Sequence, residues 1–398
     1  MAANAHVLIA GAGIGGLTAA LSLLRAGFDV DVYEQAPQLG EVGAGFQMSA
    51  NGTRVLYHLG LGDRIESVAW RPGGKEIRIW NSGQTWPLFD LGTESVALYG
   101  YPYLMFHRAD LHGILVDAVR AEKADAIHTG CKCVGFDQDE RGVVLRMEGG
   151  AEARGDALVG ADGVHSAIRA GLFGADEPQF AGVMAWRGVI PVDRLPAGLL
   201  PPLGANWVGP GGHIVHYFLR RGELLNFAGF RERDDWQVES WSAQGTVEEC
   251  LADYDGWHEV IRTLIRNIET PYKWALMLRE PMERWTEGRV TLLGDACHAM
   301  LPFLAQGAVQ AIEDGCVLAR CFAKYGAPEE ALAAYEAARR PRANAVVTGS
   351  KETMQRFHNR QLADPAAAER YVNEQWQPEA VRQRYDWLFT YDATSAPV

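Results

Sequence analysis

Residues His6 to Glu34 read HVLIAGAGIGGLTAALSLLRAGFDVDVYE, and this stretch decides the fold. Val7 to Ala10 form a short apolar run, as a strand buried on both faces would. Gly11, Gly13 and Gly16 follow with the spacing G-x-G-x-x-G. In that spacing Gly11 permits a tight turn, Gly13 lets a pyrophosphate approach the backbone, and Gly16 lets the next helix lie close to the strand. Apolar residues then recur at helical spacing (Leu17, Ala20, Leu21, Leu24) until Gly27 supplies the stop. A second strand, Asp29 to Tyr33, ends at Glu34, placed to accept hydrogen bonds from a ribose; an acid there argues against a 2'-phosphate on that nucleotide. Glycine-rich turns alone are common, but strand, turn, helix, strand and acid in this order point to a bound dinucleotide.

The rest of the composition narrows the partners. A chain of 398 residues has room for about two or three domains and a sizeable core. With 48% apolar and 10% aromatic residues it is an ordinary folded protein. A net charge of -13 repels a phosphate backbone, which argues against nucleic acid or an anionic membrane as partner, so an anionic small substrate would need a local basic pocket. No stretch approaches the ~20 apolar residues of a membrane span. The first strand begins at His6, which leaves no room for a signal peptide and sets a cytoplasmic expectation. Six cysteines without paired C-x-x-C spacing read as reduced thiols, and eleven histidines without ligand spacing predict no metal.

Two further strand-turn-helix units follow. In ALVGADGVHSAIRAGLF a buried strand from Ala157 to Gly160 runs into Asp162-Gly163 and a helix. In RVTLLGDACHAMLPFLAQGAVQAIEDG, Val290 to Leu293 form a strand, Gly294-Asp295 the turn, and Gly307 opens an apolar-periodic helix whose N-terminus suits an anion. Between the first two units, Gly43, Ala44 and Gly45 make a loop suited to close approach of a flat ring, and Asn51 reads as a helix N-cap. Arg71 to Tyr103 reads as short alternating strands dense in aromatics, and Arg108 starts a helix from which it could reach a cofactor phosphate. Ala124 to Gly155 reads as hairpin strands. Phe180 to Tyr272 reads as an antiparallel sheet interrupted by a helical piece, Val247 to Asn267. Pro328 to Val398 reads as helices with an extended tail, with nothing catalytic and with packing or homodimerisation as its expected role.

G-x-G-x-x-G with Glu34, then Asp162-Gly163, then Gly294-Asp295 is a highly specific combination. From His6 to about Tyr325 the chain resembles the single-component FAD-dependent aromatic hydroxylases of the para-hydroxybenzoate hydroxylase fold. GEVGAGFQ, AWRG, HIVHYFLRRGELLNF and MLPFLAQGAVQAIEDG look most like salicylate hydroxylase, 3-hydroxybenzoate 6-hydroxylase and 6-hydroxynicotinate 3-monooxygenase. Two positions depart: Gln47 stands where the hydroxynicotinate enzymes carry histidine, and Pro302 where 3-hydroxybenzoate 6-hydroxylase has glutamine. The resemblance implies an α/β protein with a Rossmann-like FAD-binding domain over residues 1–70, 104–179 and 273–326. It also implies an inserted, mainly antiparallel substrate domain over 71–103 and 180–272, and a C-terminal helical region over 327–398. It places Gly11, Gly13, Gly16 and Glu34 at the ADP half of FAD, Arg108 and Asp162 near the pyrophosphate, and Asp295 at the ribityl chain. Gly43 to Gln47, Gly45 among them, would line one side of the flavin cavity, and Pro302 to Gly307, continuing to Ala308, the other.

Only one G-x-G-x-x-G is present, so NADH or NADPH would be a transient reductant and not a resident cofactor. Reduced flavin would react with O2 to a C4a-hydroperoxide that attacks only an electron-rich ring, which asks the protein to exclude water and remove a phenol proton. Along His213 to Tyr217, period two puts His213, Val215 and Tyr217 on one face and His216 on the other. His213 is the expected base, directly or through Tyr217, because the hydroxynicotinate-type enzymes place a histidine and a tyrosine four apart in this strand. Arg187 and Arg220 are candidates for a substrate carboxylate, and Gln47, Pro302, Trp207, Phe227 and Phe230 for the pocket wall. The expected substrate is a small hydroxybenzoate-type acid, salicylate or 3-hydroxybenzoate. Alternatives are the same chemistry on a hydroxypyridine, quinolone or polyketide phenol, or a non-catalytic flavin-binding redox protein.

Overall fold

The computed structural model describes residues 5–40, 45–233 and 243–398, so Gly43 and Ala44 of the expected flavin-facing loop lie outside the described residues. The strand His6–Ala10, whose Val7 to Ala10 have no exposed surface, pairs in parallel with Asp29–Glu34 on one side and Ala157–Gly160 on the other. Ala157–Gly160 pairs in turn with Val290–Leu292, again in parallel. Ala10, Gly160 and Leu292 occupy one row of the ladder, so the three glycine turns leave the same edge side by side. That edge is the carboxyl end of a parallel sheet, where α/β folds bind their ligands. Ile127–Thr129 and the short hairpin strand Thr286–Glu287 complete six strands. Gly11 has φ +102, and a Cβ at Gly16 would lie 2.1 Å from the Gly11 carbonyl oxygen, so neither position accepts another residue.

A second sheet of seven strands runs in the order Tyr272–Leu278, Gln179–Pro191, Leu224–Glu232, Gly212–Leu219, Gly204–Gly209, Gly74–Ile79, Thr85–Asp90. All pairs are antiparallel except Gly204–Gly209 with Gly74–Ile79. One face, carrying Trp186, Trp207, Ile214 and Phe227, packs on the helices Val247–Asp253 and Glu259–Arg266 through Tyr254, Ile261 and Leu264. The other face, with Val215, Tyr217, Ala228 and Phe230, turns toward the dinucleotide sheet and the C-terminal helices Pro328–Phe357, Pro365–Gln375 and Pro378–Phe389. No helix among the described residues is long and apolar enough to cross a membrane.

Three local features differ from the sequence expectation. Ser49, not Asn51, precedes the helix Ala50–His58; Asn51 sits inside it with its amide on Gln306 and Glu313, because a buried side chain found long-range partners and left the cap. Within Arg71 to Tyr103, Thr93–Tyr99 is a helix ended by Gly100 in the left-handed region. The expected helical piece is two short helices.

Candidate active site

The dinucleotide end is built from backbone. Gly13 caps the helix Ile14–Arg25 without a side-chain hydrogen bond, and a Cβ there would meet nothing within 4 Å. A helix N-terminus with free space in front of it is what a pyrophosphate requires. The Glu34 carboxylate accepts hydrogen bonds from the backbone N–H of Ala12 and of Ala36, both at 2.8 Å, which ties the first turn to the end of the second strand. The Asp162 carboxylate accepts from Ser166 Oγ and, at 3.2 Å, from the Ile168 N–H; Ala161 and Gly163 beside it line the cavity, whereas Asp162 does not. Burial pushes its carboxyl up, with those hydrogen bonds opposing. Arg108 and Asp295 line the cavity together, and burial lowers the Arg108 guanidinium while Asp295 counters it.

The third turn is pinned from below by a buried ionic cluster. Asp314 Oδ2 accepts from the Gly294 N–H at 3.2 Å and pairs with His298 Nε2 at 2.6 Å, and its Oδ1 takes Arg339 Nε at 2.7 Å. Arg339 and Arg342 also hold Glu313. Burial opposes the Asp314 charge, yet His298 and Arg339 keep the carboxyl below its ordinary range. Complete pairing is the condition under which such charges are tolerated inside a protein. The helix Gly307–Lys324 starts above this cluster, and Ala305 before it is left-handed at φ 55, a strained conformation at the cavity wall.

From these turns a cavity of about 310 Å³ extends to the cavity-facing side of the seven-stranded sheet. His213, Val215 and Tyr217 line it, while His216 faces the opposite core and accepts from Trp207 Nε1 at 3.0 Å. His213 stacks on Phe230 with ring centroids 4.5 Å apart. Its Nδ1 lies 2.7 Å from His358 Nε2, His358 Nδ1 lies 3.1 Å from Glu232 Oε1, and Glu232 Oε2 pairs with the exposed Arg360 at 2.7 Å. Burial, then His358 and Lys75, hold the His213 imidazole well below its ordinary range.

Two cations enclose the opposite sides of this space. The Arg187 guanidinium lies over the Trp274 ring at 4.5 Å with its Nε unpartnered, and burial lowers it to about 10. Among the described residues Lys75 Nζ bonds only Gln47 Oε1, at 3.0 Å, and that oxygen also accepts from Tyr103 O–H at 2.9 Å; burial lowers the amine to about 8. No carboxylate among the described residues pairs with either cation, and Asn206 Oδ1 on the same wall is unsatisfied. Buried polar atoms left open in this way mark where a polar ligand belongs.

The cavity brings together Gly13, Gly16, Gly45, Gln47, Arg108, Arg187, His213, Tyr217, Phe230, Asp295, Pro302, Gly307 and Ala308. Gly11 and Glu34 stand behind its wall. Arg220 is a correction: it gives Asp110 two hydrogen bonds of 2.9 Å and sits in a left-handed turn outside the cavity, so it is not available to a carboxylate there. Trp207 and Phe227 are likewise corrected, being fully buried in the core on the far face. Lys75, His358 and the Glu313–Asp314–Arg339 cluster escaped the sequence reading. The C-terminal region does reach the site, through Phe357, Tyr385, Phe389 and His358.

Residues 4–350 match the family model described as FAD binding domain. The chain belongs to this FAD-binding family. The 3-amino-4-hydroxybenzoate 2-monooxygenase PtnB3 of Streptomyces platensis is 38% identical over 99% of this chain and 97% of its own length. The 6-hydroxynicotinate 3-monooxygenase of Pseudomonas fluorescens is 36% identical over 87% of this chain and 90% of its own. HpxO of Klebsiella pneumoniae, solved with FAD and uric acid, superposes with a TM-score of 0.86 at 26% identity over 98% of both chains. FAD is therefore the cofactor and aromatic monooxygenation the reaction class of this member of the FAD-binding family. The open helix N-terminus at Gly13, the clustered turns and the cavity between two sheets fit that group.

Proposed function

We propose that the protein hydroxylates an aromatic acid bearing a ring hydroxyl, with NADH or NADPH as a transient reductant and O2 as oxidant. The observation that carries this reading is a pair of cations without carboxylate partners among the described residues, Arg187 and Lys75, in a cavity whose walls include Val215, Phe230, Phe303 and Phe357. An aromatic ring fills the apolar part, and an anionic group meets the charge. The two monooxygenases named above are named for aromatic acids bearing a ring hydroxyl, on benzene in one case and on pyridine in the other, whereas HpxO was solved with uric acid.

When bound, FAD supplies activation of O2 and delivery of one oxygen atom to the ring. Arg187 holds the substrate carboxylate and so fixes the ring's orientation; a planar guanidinium is suited to two parallel hydrogen bonds. Phe303 and Phe357 keep water from the ring. His213 uses Nδ1 on His358, which leaves Nε2 to take the phenol proton. Its imidazole is held neutral and therefore ready to accept, but a group so far depressed retains a proton poorly. His358 takes the proton from Nδ1 and Glu232 receives it at the surface, so the ring oxygen stays ionised.

The test is NADH consumption by the FAD-loaded enzyme against a panel of hydroxylated benzoates, pyridine carboxylates and carboxylate-free phenols. Stimulation by the hydroxylated acids is expected. Stimulation only by carboxylate-free phenols, or by nothing in the panel, refutes the proposal.

A further inference from the structure

Lys75 lies on the strand Gly74–Ile79, in the same alternation as Ile77 and Ile79, which face the cavity side of the sheet. Arg187 lies on Gln179–Pro191, and three strands separate the two. Four strand spacings put their backbones about 19 Å apart. The register runs from Arg187 through Ala228, Val215 and Asn206 to Ile77, and Lys75, paired with Gly204, lies two residues before Ile77 on the same face. The two long side chains thus enter from opposite margins of one cavity, with Val215 and Tyr217 on the floor between them.

Lys75 is an expensive residue for this place. Among the described residues its one hydrogen-bond partner is the neutral oxygen of Gln47, although a half-buried ammonium facing a cavity normally calls for a counter-charge. Gln47 and Tyr103 orient it but do not neutralise it. The Lys75 ammonium adds to burial and His358 in lowering the His213 imidazole.

We propose that Lys75 holds the ionised ring oxygen of the substrate, across the cavity from the carboxylate held by Arg187, so that the site selects aromatic acids whose hydroxyl lies para to the carboxylate. This rests on the aromatic-acid reading above and adds the position of the second group. A para arrangement is the one that sets the two oxygen functions at opposite ends of a ring, as two opposed cations require; ortho and meta isomers place both on one side and leave one cation unpaired. In the step itself the O–H bond of the phenol breaks, the N–H bond at His213 Nε2 forms, and the electron pair stays on the oxygen beside the Lys75 ammonium.

The experiment titrates FAD-loaded enzyme with 4-, 3- and 2-hydroxybenzoate and with benzoate, following the perturbation of flavin absorbance and the ultraviolet band of the bound phenolate. In the wild-type protein the 4-hydroxy isomer is expected to bind most tightly and to show the phenolate band at neutral pH. Lys75→Met is expected to weaken that isomer at least tenfold and abolish the band while leaving benzoate unchanged, and Lys75→Arg to restore part of the loss; FAD content reports that each variant is folded. Tightest binding of the 2- or 3-hydroxy isomer, or equal losses for 4-hydroxybenzoate and benzoate in Lys75→Met, overturns the assignment of Lys75 and leaves the aromatic-acid reading standing. Failure of all four acids to perturb the wild-type flavin overturns both.

Discussion

His213 and His358 are joined by one hydrogen bond, Nδ1 to Nε2 at 2.7 Å, that ties the substrate cavity to the end of the long C-terminal helix. Because His358 also reaches Glu232, the cavity has a line of exchangeable protons to the surface. His213→Ala should lower the hydroxylation rate at pH 7 by about 100-fold or more, the ordinary yield of a positioned base. His358→Ala should lower it less, and both losses should shrink as pH approaches the phenol's own pKa, where the substrate enters already ionised. Single-turnover hydroxylation between pH 6 and 9 measures this. A pH-independent loss in both variants would show that the two histidines only support the sheet.

Removing the Lys75 charge should stabilise the substrate-free enzyme. Burial lowers the amine from 10.5 to about 8, a gap that corresponds to about 3 kcal/mol. Below pH 8 the amine is charged both folded and unfolded, and the cost is present in full. Between pH 8 and 10.5 the folded state releases the proton, so stability rises with pH and the cost fades. Lys75→Met should therefore gain about 3 kcal/mol at pH 7, and progressively less above pH 8. Urea unfolding at both ends of that range is the check, and a stability gain accompanied by weaker binding is the usual exchange at a functional site.

Arg187→Met should weaken binding of aromatic acids at least about 30-fold, the effect of losing about 2 kcal/mol from an enclosed charge pair. Phenols without a carboxylate should bind it as they bind the wild type. Flavin-perturbation titrations separate the two classes.

Arg339→Met should cost about 3–5 kcal/mol, because Glu313 and Asp314 would then be buried with too little positive charge. Both carboxyls are held below the usual range despite burial, by Arg342 and Arg339 for Glu313 and by His298 and Arg339 for Asp314. Their contribution is present above about pH 4.5, the unfolded carboxylate range, and is lost as pH falls through the lower folded values. Acid unfolding of the wild type should thus begin below pH 4.5 and lose FAD in the same transition, since Asp314 also holds the Gly294 turn.

The glycine turns were legible because their signals are local: spacing, an apolar strand before, a helical period after. Their convergence followed because the strands preceding them are neighbours in one parallel sheet. Period two also placed His213 and Tyr217 together and His216 apart. Local signals end there. Arg220 looked like any basic residue after a strand, and nothing near it announces Asp110, 110 positions away. Trp207 and Phe227 could not be assigned to a face without the register between strands. His358 meets His213 across 145 positions, a contact that no periodicity encodes. Lys75 did leave a trace, since it shares the alternation of Ile77 and Ile79, but a lysine in a strand reads first as solvated.

The most direct measurement is product analysis under isotopically labelled dioxygen with FAD-loaded enzyme, NADH and 4-hydroxybenzoate. One labelled oxygen atom on the ring per NADH consumed is the predicted result. Acid-independent NADH consumption that yields only hydrogen peroxide, with no labelled ring product from any hydroxylated aromatic acid, would contradict it.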